Sequence, residues 1–223
     1  MTRLNRERVL RAAVALADES GIESLSMRRL AQELGVVPMA LYKHVANKEQ
    51  LLDGMVDTVV GEIDPPEPGS DWRGVVRQRI LSARRVLLRH RWAYGVIESR
   101  TGPTSAVLEY LDSMIGVFRD GGLSVDLTHH VMHAMGSRLL GFSQELFEAS
   151  GASGGSGGAE PPDPALAQRY PRIAELAAAA AHDGDSVVGG GCDDQFEFEF
   201  ALDLLLDGFE RLRAEGWSPP GRG

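Results

Sequence analysis

The sequence has a single cysteine, Cys192, so no disulfide can close within the chain, and a reducing compartment such as the cytoplasm is expected. Cys192 lies in a glycine-rich stretch, where a bystander thiol is a simpler reading than a redox sensor. Lysine is nearly as scarce: Lys43 and Lys48 stand alone against twenty-one arginines. No apolar run approaches the roughly 20 residues that would cross a bilayer, so no membrane partner is expected. The opening residues Met1-Thr2-Arg3-Leu4-Asn5-Arg6 lack the apolar stretch of a signal peptide. Strand-like alternation is missing too. The glycine runs at 151–158 and 189–191 neither follow a strand nor open a helix as a phosphate-cradling loop must. Acid/base carboxylates at an interpretable spacing are also absent. An enzyme is therefore not expected, nor is a cofactor.

What remains is a helical, acidic chain of 223 residues with 43% hydrophobic side chains, enough to bury a core. Its net charge of −9 argues against nucleic acid until its distribution is read. Residues 1–63 hold eight basic and nine acidic side chains, whereas residues 64–223 hold fifteen and twenty-three. Within 25–48, Arg28, Arg29, Lys43 and Lys48 face only Glu33. The acidity belongs to the C-terminal part, and a short basic window stands near the start.

Helical periodicity runs through that start. Residues 5–20 form a first helix capped by Asn5, with Val9, Ala13, Leu16 and Ala17 at helical spacing and Gly21 as its stop. Ser26 caps a second, from Met27 to Leu34, with Leu30, Ala31 and Leu34 inward. After a turn at Gly35, a third short helix spans about Val37 to Val45. It turns Leu41 and Val45 inward, with Val37 and Pro38 near them, and Met39 and Lys43 outward. Asn47 caps a fourth, from Lys48 to Ile63. The prolines of Asp64-Pro65-Pro66-Glu67-Pro68 break the pattern, which sets a domain boundary between residues 64 and 65. Further helices follow at about 72–90, 92–100, 104–120, 125–149, 171–182 and 194–214. Flexible loops are expected at 150–163 and 183–193.

A helix, a tight turn and a second helix with an open outer face is what a helix-turn-helix needs to enter a major groove, though a plain trihelical packing motif shares that geometry. The detail goes further. Gly21-Ile22-Glu23-Ser24-Leu25-Ser26-Met27-Arg28-Arg29-Leu30-Ala31-Gln32-Glu33-Leu34-Gly35-Val36, then Leu41-Tyr42-Lys43-His44-Val45 and Asn47-Lys48-Glu49-Gln50-Leu51-Leu52, resembles the signature of the TetR family of regulators. Phe198-Glu199-Phe200-Ala201-Leu202-Asp203-Leu204-Leu205-Leu206-Asp207-Gly208-Phe209-Glu210 is similar to the last helix of its tetracycline-repressor subgroup.

The resemblance implies an all-α protein: an N-terminal three-helix DNA-binding domain (1–64) and a larger helical domain for ligand binding and dimerisation (65–223). It implies a transcriptional regulator, a homodimer on palindromic operator double-stranded DNA, released by a small-molecule effector. Met27 and Arg28 would open the second helix, with Arg28 at a base edge or phosphate. Pro38, Met39, Ala40 and Lys43 would form the major-groove surface, and Tyr42, His44 and Lys48 would meet phosphates. Arg29 reads as a solvated surface charge.

The last helix carries two apolar rows, Phe196–Phe200–Leu204 and Phe198–Leu202–Leu205–Phe209–Leu212. One stripe serves the chain's own core and a second needs another partner, so a dimer interface is expected through Phe198, Leu202, Leu205 and Phe209. A fully buried central helix is the alternative. An effector pocket is expected among Trp92, Tyr94, Met114, Phe118, His133 and Phe142, although most such residues serve as plain core. Where the tetracycline-binding members carry pocket histidines, this sequence has Asp64 and Arg100, so a tetracycline–magnesium ligand is not implied. His129 and His133 stand four apart, a metal-compatible spacing, but no third and fourth ligand is evident, and no metal is expected.

Overall fold

The computed structural model describes residues 4–67, 69, 71–141, 168–172, 175 and 194–220. Among them are nine α-helices and no strand. The loops expected at 150–163 and 183–193, most of the helix at 171–182, Phe142 and Cys192 lie outside the described residues.

Helix α1 (Arg6–Ser20) begins where the Asn5 side chain accepts the Arg8 amide at 2.8 Å, and it buries Val9, Leu10, Ala13, Val14, Leu16 and Ala17. A 3₁₀ turn at Ile22–Ser24, which periodicity does not reveal, leads to α2 (Met27–Glu33), capped by Ser26 through the Arg29 amide. Leu30 and Ala31 are buried as their spacing requires. Gly35 supplies the turn with φ +66°, left-handed backbone that a side chain would resist.

Helix α3 (Pro38–Leu41) is shorter than the expected 37–45. Beyond Leu41 the backbone tightens, with the His44 amide on the Leu41 carbonyl at 2.8 Å, yet Val45 still returns to the core. The expected inward placement of Val37 and Pro38 is corrected. Val37 is the extended residue ahead of the helix (φ −78°, ψ 146°), off the helical wheel, and it stands 68% exposed; Pro38 is exposed beside it. Helix α4 (Lys48–Val60) starts with a reciprocal cap. Asn47 accepts the Gln50 amide at 2.8 Å while the Gln50 side chain accepts the Ala46 amide at 2.9 Å.

Four more helices follow: α5 (Trp72–Arg89), α6 (Arg91–Ser99), α7 (Ser105–Asp120) and α8 (Val125–Gly141). Helix α4 packs against α1, α5, α6 and α7. The core built on α1, α2 and α4 therefore runs on without a break into Val86, Trp92, Ala93 and Val96 of α5 and α6. Residues 1–133 with 216–223 form one compact unit, and residues 134–215, including α9 (Asp194–Ala214), form another.

Helices α5 and α7 meet closely at one glycine. A Cβ on Gly121 would lie 2.5–2.7 Å from the Cβ, Cγ and Cδ1 atoms of Trp72, whose ring packs 5.8 Å from that of the fully buried Phe118. These are stiff atoms near the Trp72 backbone and cannot swing away. Gly121→Ala is expected to cost about 1–3 kcal/mol, read as a lower denaturant midpoint; a midpoint equal to the wild type would show that Trp72 moves freely.

Candidate nucleic-acid interface

The outward face of the helix-turn-helix rests on a rigid base. Leu30, Leu41 and Val45 are 0–1% exposed, so α2 and the α3 turn are fixed to α1 and α4 through packing. On the opposite side Met39 is 72% exposed and Tyr42 44%, with Lys43 and Pro38 also open. Arg28 and Lys48 are exposed, whereas Met27, Ala40 and His44 are half-buried. The structure thus brings Pro38, Met39, Tyr42 and Lys43 onto one short solvent-facing element, with Lys48 at the first turn of α4, where the helix dipole favours an anion. Arg29 bonds the Ser20 hydroxyl at 2.8 Å.

Sequence reasoning missed Val37 on this face. The signal was present: a residue before proline is pushed to extended backbone, which takes Val37 out of the helical register. Val37 and Met39 together give an apolar patch beside Lys43, able to meet thymine methyl groups as the lysine meets phosphate or guanine.

The expected pocket residues are scattered. Trp92 is 8% exposed and belongs to the core shared with α1, its indole N–H donating to Asp18 at 2.7 Å. Beside it His90, 4% exposed, has Nδ1 2.8 Å from Asp18 Oδ1 and Nε2 3.2 Å from Glu62 Oε2. Tyr94 is half-buried and bonds Glu98. Met114 and Phe118 are buried together on α7. His133 is exposed on α8, its ring 4.6 Å from that of His129, while His130 packs edge-on against Trp217. Among the described residues no three His, Cys, Asp or Glu side chains gather to hold a metal.

Asp64 and Arg100 are engaged in charge pairs. The Asp64 carboxylate takes Ser82 Oγ at 2.8 Å and Arg85 at 2.7 Å, while Arg100 pairs with Glu49 and, at 2.8 Å, with Asp53. These two carboxylates and the bonds they make raise the Arg100 pKa, the Glu49 hydrogen bond most of all. A polar cleft of about 370 Å³ opens beside α4, lined by Asp53, Asp57, Arg100 and residues 101–105.

The rows of α9 part company. Phe198, Leu202 and Phe209 are buried at 7%, 3% and 7% exposure within the single chain, and Leu205 is half-buried. The other row stays open: Phe196 61%, Phe200 54% and Leu204 57%. Among the described residues no helix is long and apolar enough to cross a membrane.

Comparison with known proteins agrees with this architecture. A family model described as bacterial regulatory proteins, tetR family, matches residues 9–55, and one described as tetracyclin repressor-like, C-terminal domain, matches residues 65–213. The class C tetracycline repressor of Escherichia coli is 30% identical over 96% of this chain and 94% of its own length. The HTH-type transcriptional repressor DrrR1 of Streptomyces coeruleorubidus is 31% identical over 95% and 79%. The crystal structure of apo ActR from Streptomyces coelicolor superposes with a TM-score of 0.68 and 26% identity, covering 97% of this chain and all of that one. An open helix-turn-helix face on an all-helical frame, matched at both ends of the chain, makes this protein a DNA-binding transcriptional regulator that belongs to the tetR family.

Proposed function

We propose that this regulator is a homodimeric repressor that reads its operator through Val37, Pro38, Met39 and Lys43. In this reading Arg28, Tyr42, His44 and Lys48 hold the DNA backbone, with Met27 and Ala40 packed behind them. The observation that carries it is Met39 at 72% exposure on the shortest helix, next to Lys43 and opposite a fully buried Leu41. With Val37 beside it, 68% exposed, Met39 forms a contiguous apolar patch rimmed by a cation, which marks an interaction surface. The domain division at residue 64 or 65 is retained as a functional one: reading upstream, effector binding and pairing downstream.

Two copies must present their reading faces about 34 Å apart to enter successive major grooves. The exposed row Phe196–Phe200–Leu204 supports a two-fold contact between α9 helices, while Phe198, Leu202 and Phe209 serve the protomer's own interior. A small molecule in the downstream domain would act on α4, which touches α1, α5, α6 and α7, and so change head spacing without touching DNA.

The two lysines separate reading from holding. Lys48→Ala is expected to weaken binding alike on all sequences and to lower the salt slope by about one counterion. Lys43→Ala is expected to alter base preference, because its side chain projects from the reading face. Selection of bound sequences from a random pool checks both. Unchanged preference in Lys43→Ala would reassign that residue to phosphate, and wild-type protein that retains no sequence would overturn the reading.

A further inference from the structure

We propose that Arg79 is the anion-binding centre of the effector site, so that the effector of this regulator is an aromatic acid. This deepens the repressor reading above and rests on its effector.

On α5 the positions three before and four after Arg79 hold Val76 and Ala83, both buried, so the helical period calls for an apolar residue at 79. An arginine stands there instead, 5% exposed. No carboxylate pairs with it among the described residues. The Asp64 carboxylate, which could have neutralised it, is occupied by Ser82 and Arg85. What Arg79 receives is a long contact of 3.4 Å from one terminal nitrogen to the Asp64 backbone carbonyl. Its Nε is buried without a hydrogen-bond partner.

The guanidinium lies 4.8 Å from the ring centroid of Tyr110 on α7, whose buried hydroxyl likewise has no partner. Cation–π attraction offsets part of the desolvation of an arginine but satisfies none of its N–H donors. Burial lowers the Arg79 pKa, with Tyr110 acting in the opposite direction. Burial raises that of Tyr110, with Arg79 opposing, so at neutral pH the phenol is an O–H donor and no counter-anion. Two vacant donors, one of them cationic, thus lie together between α5 and α7. A carboxylate or sulfonate would accept from both, and a planar ring on that acid would suit helices whose buried side chains include Val76 of α5 and Met114 of α7. A neutral ligand would leave the guanidinium as it is.

The test uses the whole protein and a pair of fluorescent probes on one scaffold, 1-anilinonaphthalene-8-sulfonate and the neutral N-phenyl-1-naphthylamine. Wild-type protein is expected to bind the sulfonate at least about tenfold more tightly. Arg79→Met is expected to erase that preference and leave the neutral probe unchanged. Equal affinities in the wild type, or a preference that survives Arg79→Met, overturn the proposal. Should Arg79→Met fail to fold, Arg79→Lys and Tyr110→Phe decide. Each must weaken the sulfonate several-fold without affecting the neutral probe, and no change in either overturns the assignment. A gel shift with the wild type runs alongside. Loss of DNA binding there would refute the repressor reading on its own, whereas intact DNA binding with no anion preference would refute only the role of Arg79.

Discussion

Phe200→Glu is expected to leave the protein monomeric at micromolar concentration and to lower operator affinity by about 10²–10⁴-fold. Phe200 is 54% exposed in the middle of an open row on α9, one turn from Phe196 and one from Leu204, with the Phe196 and Phe200 rings stacked at 6.5 Å. A two-fold contact places the same patch on both partners, so one substitution buries two carboxylates facing an apolar surface. Each buried charge without a partner costs several kcal/mol, more than the apolar contact of a phenylalanine supplies. The head itself is expected to stay intact, because the core cluster that fixes α1–α4 contains no residue of α9. The loss of DNA affinity then comes from the second half-site, which a monomer must find as a separate molecule. Light scattering gives the mass, and Phe200→Leu, still apolar, is expected to remain a dimer. A dimeric Phe200→Glu would move the interface to another face.

The row that stays open was legible in sequence only as one of two. Both rows of α9 are apolar at helical spacing, and periodicity alone cannot say which one faces the protomer's interior; that is decided by tertiary packing. Local chemistry was read more fully. Asn5, Ser26 and Asn47 each cap the helix expected of them, because a cap is satisfied by amides two or three residues away. A helical wheel misplaces Val37, because the wheel runs one residue beyond the helical backbone that justifies it. Residue type makes Trp92 a pocket candidate, yet with His90 it serves a buried polar contact. Their partner Asp18 lies 72 and 74 residues away in sequence, and no spacing rule reaches that far. Arg79 interrupts an apolar row of α5 in the sequence, but one charge among twenty-one arginines becomes distinctive only through its burial and vacant Nε.

Asp18→Ala is expected to remove about 2–6 kcal/mol of stability, since two donors would be orphaned at about 1–3 kcal/mol each. Asp18, near the end of α1, accepts from His90 Nδ1 at 2.8 Å and from Trp92 Nε1 at 2.7 Å, and both rings are buried. Across the ring, Glu62 just beyond α4 places Oε2 3.2 Å from His90 Nε2 and pairs with Arg89 at 3.1 Å. One histidine therefore ties the end of α1, the exit of α4 and the corner between α5 and α6. Apolar packing alone would let these elements slide; directional bonds fix their register. Asp18→Asn keeps a single carbonyl acceptor and turns an amide N–H₂ toward the other donor, so its loss should fall between wild type and Asp18→Ala. Urea midpoints with an unchanged slope measure both. Function follows from the same geometry. The reading surface keeps its own core in Leu30, Leu41 and Val45, so operator affinity of the folded Asp18→Asn variant should stay near wild type. Its response to effector should shrink, because movement at α5–α6 would no longer be imposed on α1 and α4, and by reciprocity operator DNA would weaken effector binding less. Calorimetric titration of the acidic naphthalene probe into free and operator-bound protein reads that coupling. An Asp18→Ala variant that denatures with the wild-type midpoint, or an Asp18→Asn variant with undiminished coupling, would remove the histidine tie from the mechanism and leave transmission to the packing around α4.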